Sequence, residues 1–461
     1  MLNSVFDMLS LEDLGAYSIV IGGSLIIILS YFANLLAKKT NIPSVLVLIA
    51  MGIGIRQMMH TVGWHHIPYE GLILQLLGTV GLIFILLEAA LDLELSREKL
   101  PLIVKSATIS LLILIASTMG IGYFLEEVLG LERFSAIVYA LPLSIMSSAI
   151  IIPSVGGLSM AKKEFMVYES TFSDIWGIMA FYILLGNQNA ETTSEIFVAI
   201  GKNLGGTLLI SIVVSYLLVY ILQKINSSVK LFLSIAVLML IYSIQKLLHL
   251  SPLILILIFG LMLNNFKIFF PKIFRSNDDE SRFGSLLDET KMKGLRHDFH
   301  ILTLESAFII RTFFFVMFGA TVVLSSLMNV EVLFYGLTIS VILYIARYFF
   351  LLIFRLPDPA SLLYIAPRGL ITILLFFQIG SKHPELQSDK FDSAILLVVI
   401  LVTCLVMTFS LIKQGSGLEP IARQKGEPIL SGETSSPAKS QNSGEEEEEE
   451  EEEGDASDKP E

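Results

Sequence analysis

Runs of about 20 apolar residues, parted by short polar segments, recur from about residue 15 to about residue 412. A run of that length is what one helix needs to cross the hydrocarbon core of a bilayer. Thirteen such spans are predicted, at approximately 15–36, 42–59, 71–91, 102–125, 135–157, 165–185, 196–222, 230–248, 252–266, 299–325, 330–354, 359–380 and 391–412. The pattern has a helical period and length and is not the alternation of strands, so the fold class is all-α and polytopic.

Two interruptions change the picture. Between Phe270 and His297 lies the one long polar loop of the apolar region, rich in Ser, Asp, Glu, Lys and Arg. Beyond Lys413 the apolar runs stop. From Gln414 the chain carries fifteen acids, nine of them the unbroken run Glu445–Glu453, and four bases, so this tail accounts for −11 of the formal net charge of −12. A block of like charge with almost no apolar residues builds no core, and residues 414–461 are expected to be a disordered acidic tail on the cytoplasmic side. Residues 1–413 form the membrane domain.

Composition agrees with that division. At 54% hydrophobic and 16% charged, with mean hydropathy +0.73, the chain has more apolar surface than a soluble domain of this size can bury. The single cysteine, Cys404, lies in an apolar stretch, which excludes a disulfide framework and a cysteine metal site. Acidic residues before the first run and Lys38-Lys39 after it do not make a cleavable leader.

Loop charge orients the spans. With the N-terminus outside, eighteen Lys and Arg residues, from Lys38 to Lys413, fall on inner loops and helix ends, and five (Arg56, Arg133, Lys246, Lys382, Lys390) fall outside. That bias obeys the positive-inside rule for an odd number of spans. The simplest setting is a bacterial inner membrane, with the C-terminus cytoplasmic.

The chain also pairs with itself. Taking 196–222 as a linker helix, spans 15–185 and 230–412 match as two inverted repeats, the arrangement in which broken helices meet near the bilayer midplane. The fifth span holds Pro142, Ser147-Ser148-Ala149 and Pro153, and the twelfth holds Ala366-Pro367-Arg368-Gly369-Leu370. Proline removes a backbone donor and clashes with the preceding turn, so both spans are expected to break and cross.

Ionisable residues at membrane depth are few and therefore informative. Each costs about 2.5–3.5 kcal/mol on the lenient insertion scale, so it marks an ion path or a paired site. Asp174 lies within the apolar run from Phe165 to Leu185. On that helix Ser170 and Asp174 share one face, while Glu169 and Ser173 share the adjoining one. The first face can offer a hydroxyl and a carboxylate to a hard monovalent cation. Glu169 on the second needs a countercharge, and Arg347 is the best-placed one. Glu88 sits near the inner end of the third span, and Glu305 and Arg311 lie on the tenth as a further possible pair. A carboxylate that holds either a proton or a cation, never both, couples their movements.

Four stretches carry a family resemblance: 42–52 (IPSVLVLIAMG), 87–93 (LEAALDL), 169–174 (ESTFSD) and 366–370 (APRGL). With them the membrane part, about residues 10–413, resembles the monovalent cation:proton antiporter superfamily, close to the sodium/proton exchanger branch. The resemblance implies thirteen helices, a homodimer, and a core that moves against a dimerisation domain. It implies a cation- and proton-binding role for Asp174, with Ser170, Ser147 and Ser148 as further ligands and Glu88 as an ion-binding acid near the cytoplasmic funnel, a structural pair of Glu169 and Arg347, and charge compensation by Arg368 at the second break. Two positions depart from the branch. Ser173 stands where electroneutral members carry Asn and electrogenic ones Asp, and Ser147-Ser148-Ala149 stands where Thr-Asp-Pro is usual, a feature nearer the potassium/proton branch.

One central acid predicts one-for-one exchange. The partners expected are Na⁺, K⁺ or Li⁺, with H⁺, membrane lipid and a second copy of the chain; no cofactor, enzymatic activity, nucleic acid or metal beyond a monovalent cation at Asp174 is expected. A cation channel is the alternative of another class, and it would need no counter-transport. No grouping of catalytic residues shares one depth, which weighs against a membrane enzyme.

Overall fold

The computed structural model describes residues 11–40, 43–61, 70–186, 193–225, 230–247, 252–270, 289–321, 329–356, 358–382, 384–388 and 390–414. The tail, Trp64, His65-His66 and most of the long polar loop lie outside them. Among the described residues there are helices and turns and no strand. In chain order they are α1 (Leu11–Thr40), α2 (Ser44–Thr61), α3 (Glu70–Asp92), α4 (Leu100–Leu129), α5 (Arg133–Ser144), α6 (Ser148–Ser154), α7 (Met160–Gly186) and α8 (Thr193–Lys224). There follow α9 (Lys230–Leu247), α10 (Pro252–Asn264), α11 (Phe266–Phe269), α12 (Glu289–Thr321), α13 (Val330–Ile353), α14 (Pro359–Leu363), α15 (Leu370–Lys382) and α16 (Ala394–Lys413).

Each predicted span meets a helix or a broken pair. Seven described segments are long and apolar enough to cross a bilayer unaided, and shorter apolar helices fill positions among them. The fifth span is broken as expected, α5 and α6 being joined by extended backbone at Ile145 and Ser147. The twelfth becomes α14, an unwound stretch at 365–369, and α15. One boundary moves. The polar loop was expected to run to His297, but α12 begins at Glu289, ten residues ahead of the apolar run. Those turns are held by surface pairing, Lys293 lying 3.1 Å from Glu289 at i, i+4 and Lys267 lying 2.9 Å from it.

Packing falls into two groups. α4, α5, α6, α7, α13, α14 and α16 pack on one another, and α1, α2, α3, α8, α9, α10 and α12 form the other set, with α15 touching both and α10 meeting α7 across the boundary. In the second group α2 and α12 meet backbone to backbone. A Cβ on Gly52 would stand 2.1 Å from the Val316 carbonyl oxygen, and one on Gly319 would stand 2.2 Å from that of Ile49. Gly205 and Gly206 on α8 are exposed, and a Cβ on either would meet nothing within 4 Å among the described residues. Close approach is set where helices cross, which a glycine pair alone does not reveal.

Candidate ion-binding site

The two breaks cross in the first group. The Ser147 N–H donates to the Pro367 carbonyl at 2.9 Å, so the unwound segments bond directly to each other. Gly369 makes the approach possible, because a Cβ there would lie 2.6 Å from Ser147 Oγ and 2.8 Å from Ile150 Cδ1.

Breaking a helix inside a membrane exposes the last carbonyls of one half, and two buried arginines answer them. Arg368 Nε donates to the Leu143 carbonyl near the end of α5 at 2.9 Å, and its Nη1 to that of Ala366 at 2.7 Å. Arg347 donates to the Leu362 carbonyl near the end of α14, from Nε at 3.2 Å and Nη2 at 3.0 Å. Each guanidinium thus lies against the negative end of a half-helix. Thr403 Oγ1 on α16 accepts the Arg368 N–H at 3.0 Å, and so fixes the second break from behind.

Arg347 also makes a bidentate pair with Glu169, with Nη1–Oε1 at 2.6 Å and Nη2–Oε2 at 2.9 Å. Both side chains are essentially sealed, at 2% and 0% exposure. Met146 and Met166 sulfur atoms complete the guanidinium surroundings. This fork leaves neither carboxylate oxygen unbonded.

Asp174 is as deeply buried, at 1% exposure, but differently served. Its Oδ2 accepts a short hydrogen bond from the Ser148 hydroxyl and a longer one, 3.4 Å, from the Ser148 N–H at the start of α6. Its Oδ1 has no hydrogen-bond partner among the described residues. One oxygen is positioned by the break, and the other remains open to a proton or a cation. No cluster of three or more acidic, His or Cys side chains suited to a multivalent metal occurs among the described residues.

The neighbouring serines divide their tasks. Ser173 Oγ accepts the Met146 N–H at 3.0 Å and so holds the first break against α7. Ser170 is buried, and its hydroxyl donates to the Val167 carbonyl of its own helix at 3.2 Å. The Asp174 hydroxyl partner therefore comes from Ser148 on the broken helix, not from the i−4 serine. Ser147, at the crossing, packs on Gly369.

Glu88 lies apart from this cluster. Its Oε1 pairs with Arg311 Nη2 of α12 at 3.2 Å, both side chains being mostly buried. Glu305, the expected partner of Arg311, is exposed. One turn beyond Glu88, Asp92 Oδ1 lies 2.8 Å from His300 Nε2. These two rungs join α3 to α12. Sequence reasoning missed His300, although Asp92 and His300 both stand at the predicted inner ends of their spans.

Comparison with known proteins was made on this geometry. Residues 24–414 match the family described as sodium/hydrogen exchanger, transmembrane. Two structures of the sodium proton antiporter MjNhaP1 from Methanocaldococcus jannaschii share the fold. The one determined at pH 8 aligns with TM-score 0.61 at 20% identity, covering 87% of this chain and 96% of the other. An electron-microscopy map of the same antiporter gives TM-score 0.61 at 19% identity, covering 90% and 99%. No protein of curated function matches.

Proposed function

Because the chain belongs to the sodium/hydrogen exchanger family, integral-membrane cation/proton antiporters, we propose that it exchanges one Na⁺ for one H⁺ by competition at Asp174. The observation that carries this reading is the half-satisfied carboxylate, sealed from solvent, bonded on Oδ2 by Ser148 and unbonded on Oδ1 among the described residues. A proton on Oδ1 neutralises the group. A dehydrated cation beside Oδ1 does the same, and the two cannot share the site.

The other buried charges are already matched. Among the described residues Glu169 pairs with Arg347, Glu88 pairs with Arg311, and Arg368 answers half-helix carbonyls, which leaves Asp174 as the group proposed to titrate during a cycle. One titrating site with one cation per turnover gives electroneutral exchange. Alternation then needs the first helix group, which carries Asp174 and both breaks, to move against the second. The working unit in this proposal is a homodimer in a bacterial inner membrane, N-terminus outside, C-terminus in the cytoplasm, as the loop charges favour.

K⁺ is the second reading, supported by the neutral Ser147-Ser148 pair at the break, which brings no second carboxylate to favour the smaller, more strongly hydrated Na⁺. Proteoliposomes clamped at zero membrane potential test both. Proton flux on addition of Na⁺, K⁺ or Li⁺ in turn names the cation, and its absence in Asp174→Asn assigns the site. Cation-driven flux that persists in Asp174→Asn refutes the proposal.

A further inference from the structure

Where α4 begins, the first helix group carries an open groove of about 500 Å³. On α4 it is lined by Pro101, Val104, Lys105 and Thr108, which stand at i, i+3, i+4 and i+7 and so share one face. Phe354 lines it from the C-terminal end of α13, the helix packed along α4. Arg97, in the turn ahead of α4, and Leu100 complete the lining.

The groove combines apolar surface with unpaired positive charge. Leu100 and Val104 are each 55% exposed, and Lys105 is the fourth residue of the span predicted from residue 102, so this surface lies at the edge of the hydrocarbon core. Acyl chains are its natural cover. Arg97 is exposed and Lys105 half-buried, and neither has a salt-bridge partner among the described residues. The neighbouring acids Glu164 and Glu94 are engaged by Lys99, at 3.0 Å and 3.7 Å, while Glu98 is exposed and does not line the groove.

A half-buried ammonium at this depth lays its stem along apolar surface and presents its charge at headgroup level, where lipid phosphate is the counter-ion within reach. A zwitterionic headgroup would bring an ammonium of its own against the two cations. A net negative one would not.

We propose that this groove binds an anionic phospholipid, with its phosphate on Arg97 and Lys105 and an acyl chain on Leu100, Val104 and Phe354. The leaflet is the cytoplasmic one in the orientation proposed above, and the site does not depend on which residue exchanges ions. Because α4 and α13 belong to the helix group that carries Asp174, the lipid is held by that group alone.

The test uses the full-length protein in detergent, titrated with dioleoyl phosphatidylglycerol or dioleoyl phosphatidylcholine, with bound lipid counted by native mass spectrometry. Phosphatidylglycerol should bind more tightly, and added salt should weaken it. Arg97→Gln and Lys105→Gln should each lower its affinity about fivefold and the double variant about thirtyfold, as one basic contact apiece implies. Val104→Trp, which fills the groove and leaves its charge as it is, should lower the affinity as well. Lys413→Gln removes an exposed cation from the same membrane face, outside the groove, and should change nothing. None of these four positions is buried, so every variant should elute and melt as the wild type does.

Equal affinity for the two lipids overturns the proposal. An equal loss in Lys413→Gln and in the groove variants would mean diffuse attraction to a basic face, and overturns it too. Wild-type affinity in Val104→Trp removes the groove from the binding and has the same force.

Discussion

Glu169 and Asp174 stand five residues apart on α7, both shut away from solvent, and their surroundings ask opposite things of them. Glu169 has a two-pronged arginine on both oxygens, and that arginine is itself anchored to the end of a half-helix. Asp174 has one serine on one oxygen. A saturated carboxylate has nothing further to bind, so its charge is fixed and its role is to hold α7, α13 and α14 together. A half-saturated one keeps coordination capacity, and that capacity is what an exchanger needs. Burial alone does not separate the two, whereas the count of satisfied oxygens does.

The comparison breaks most sharply at Asp174. Asp174→Asn keeps shape and an acceptor for Ser148 but cannot exchange charge, so cation-driven proton flux should fall to background while the protein inserts and elutes normally. Next comes Arg347→Ala, which leaves Glu169 buried without its partner at a cost of about 3–5 kcal/mol. Its signature should be lost folded yield and a lower Tm, the reverse of the Asp174 result. A normal Tm in Arg347→Ala would show the pair is not structural.

Smaller changes sharpen the contrast. Ser148→Ala removes a bond to the charged Asp174 and should shift apparent cation affinity by about tenfold, equivalent to roughly 1.4 kcal/mol, with maximal flux retained. Ser173→Ala strands the Met146 N–H and should cost about 1–3 kcal/mol of stability, read by thermal unfolding, with cation affinity unchanged. The smallest effect belongs to the surface. Lys162 lies 2.7 Å from Asp358 and holds its carboxyl below the usual range. A depressed carboxyl contributes only above its unfolded pKa and loses that contribution as pH falls through the folded one. Because the pair is exposed, Lys162→Ala should leave both Tm and flux at neutral pH indistinguishable from wild type.

What could be read from the chain follows from what each residue type does locally. Pro142 and Pro367-Arg368-Gly369 announce breaks because proline and glycine act on their own backbone, wherever they are. Glu169 and Arg347 could be matched because buried charges are rare and must pair. The partner of Asp174 could not be matched in the same way. Ser170, one turn before it, is the nearest hydroxyl in sequence, yet a helical serine readily bonds the preceding turn, as Ser170 does with Val167. Arg311 took Glu88 on another helix instead of Glu305 on its own, a choice made by packing.

The seam between α2 and α12, where Gly52 and Gly319 let main chain lie on main chain, has one more consequence. At those two points no side chain separates the main chains, so the helices have no rotamers to rearrange there. In the exchange cycle proposed above, α12 and α2 would therefore travel as one body and leave the stroke to the helices that carry the crossed breaks.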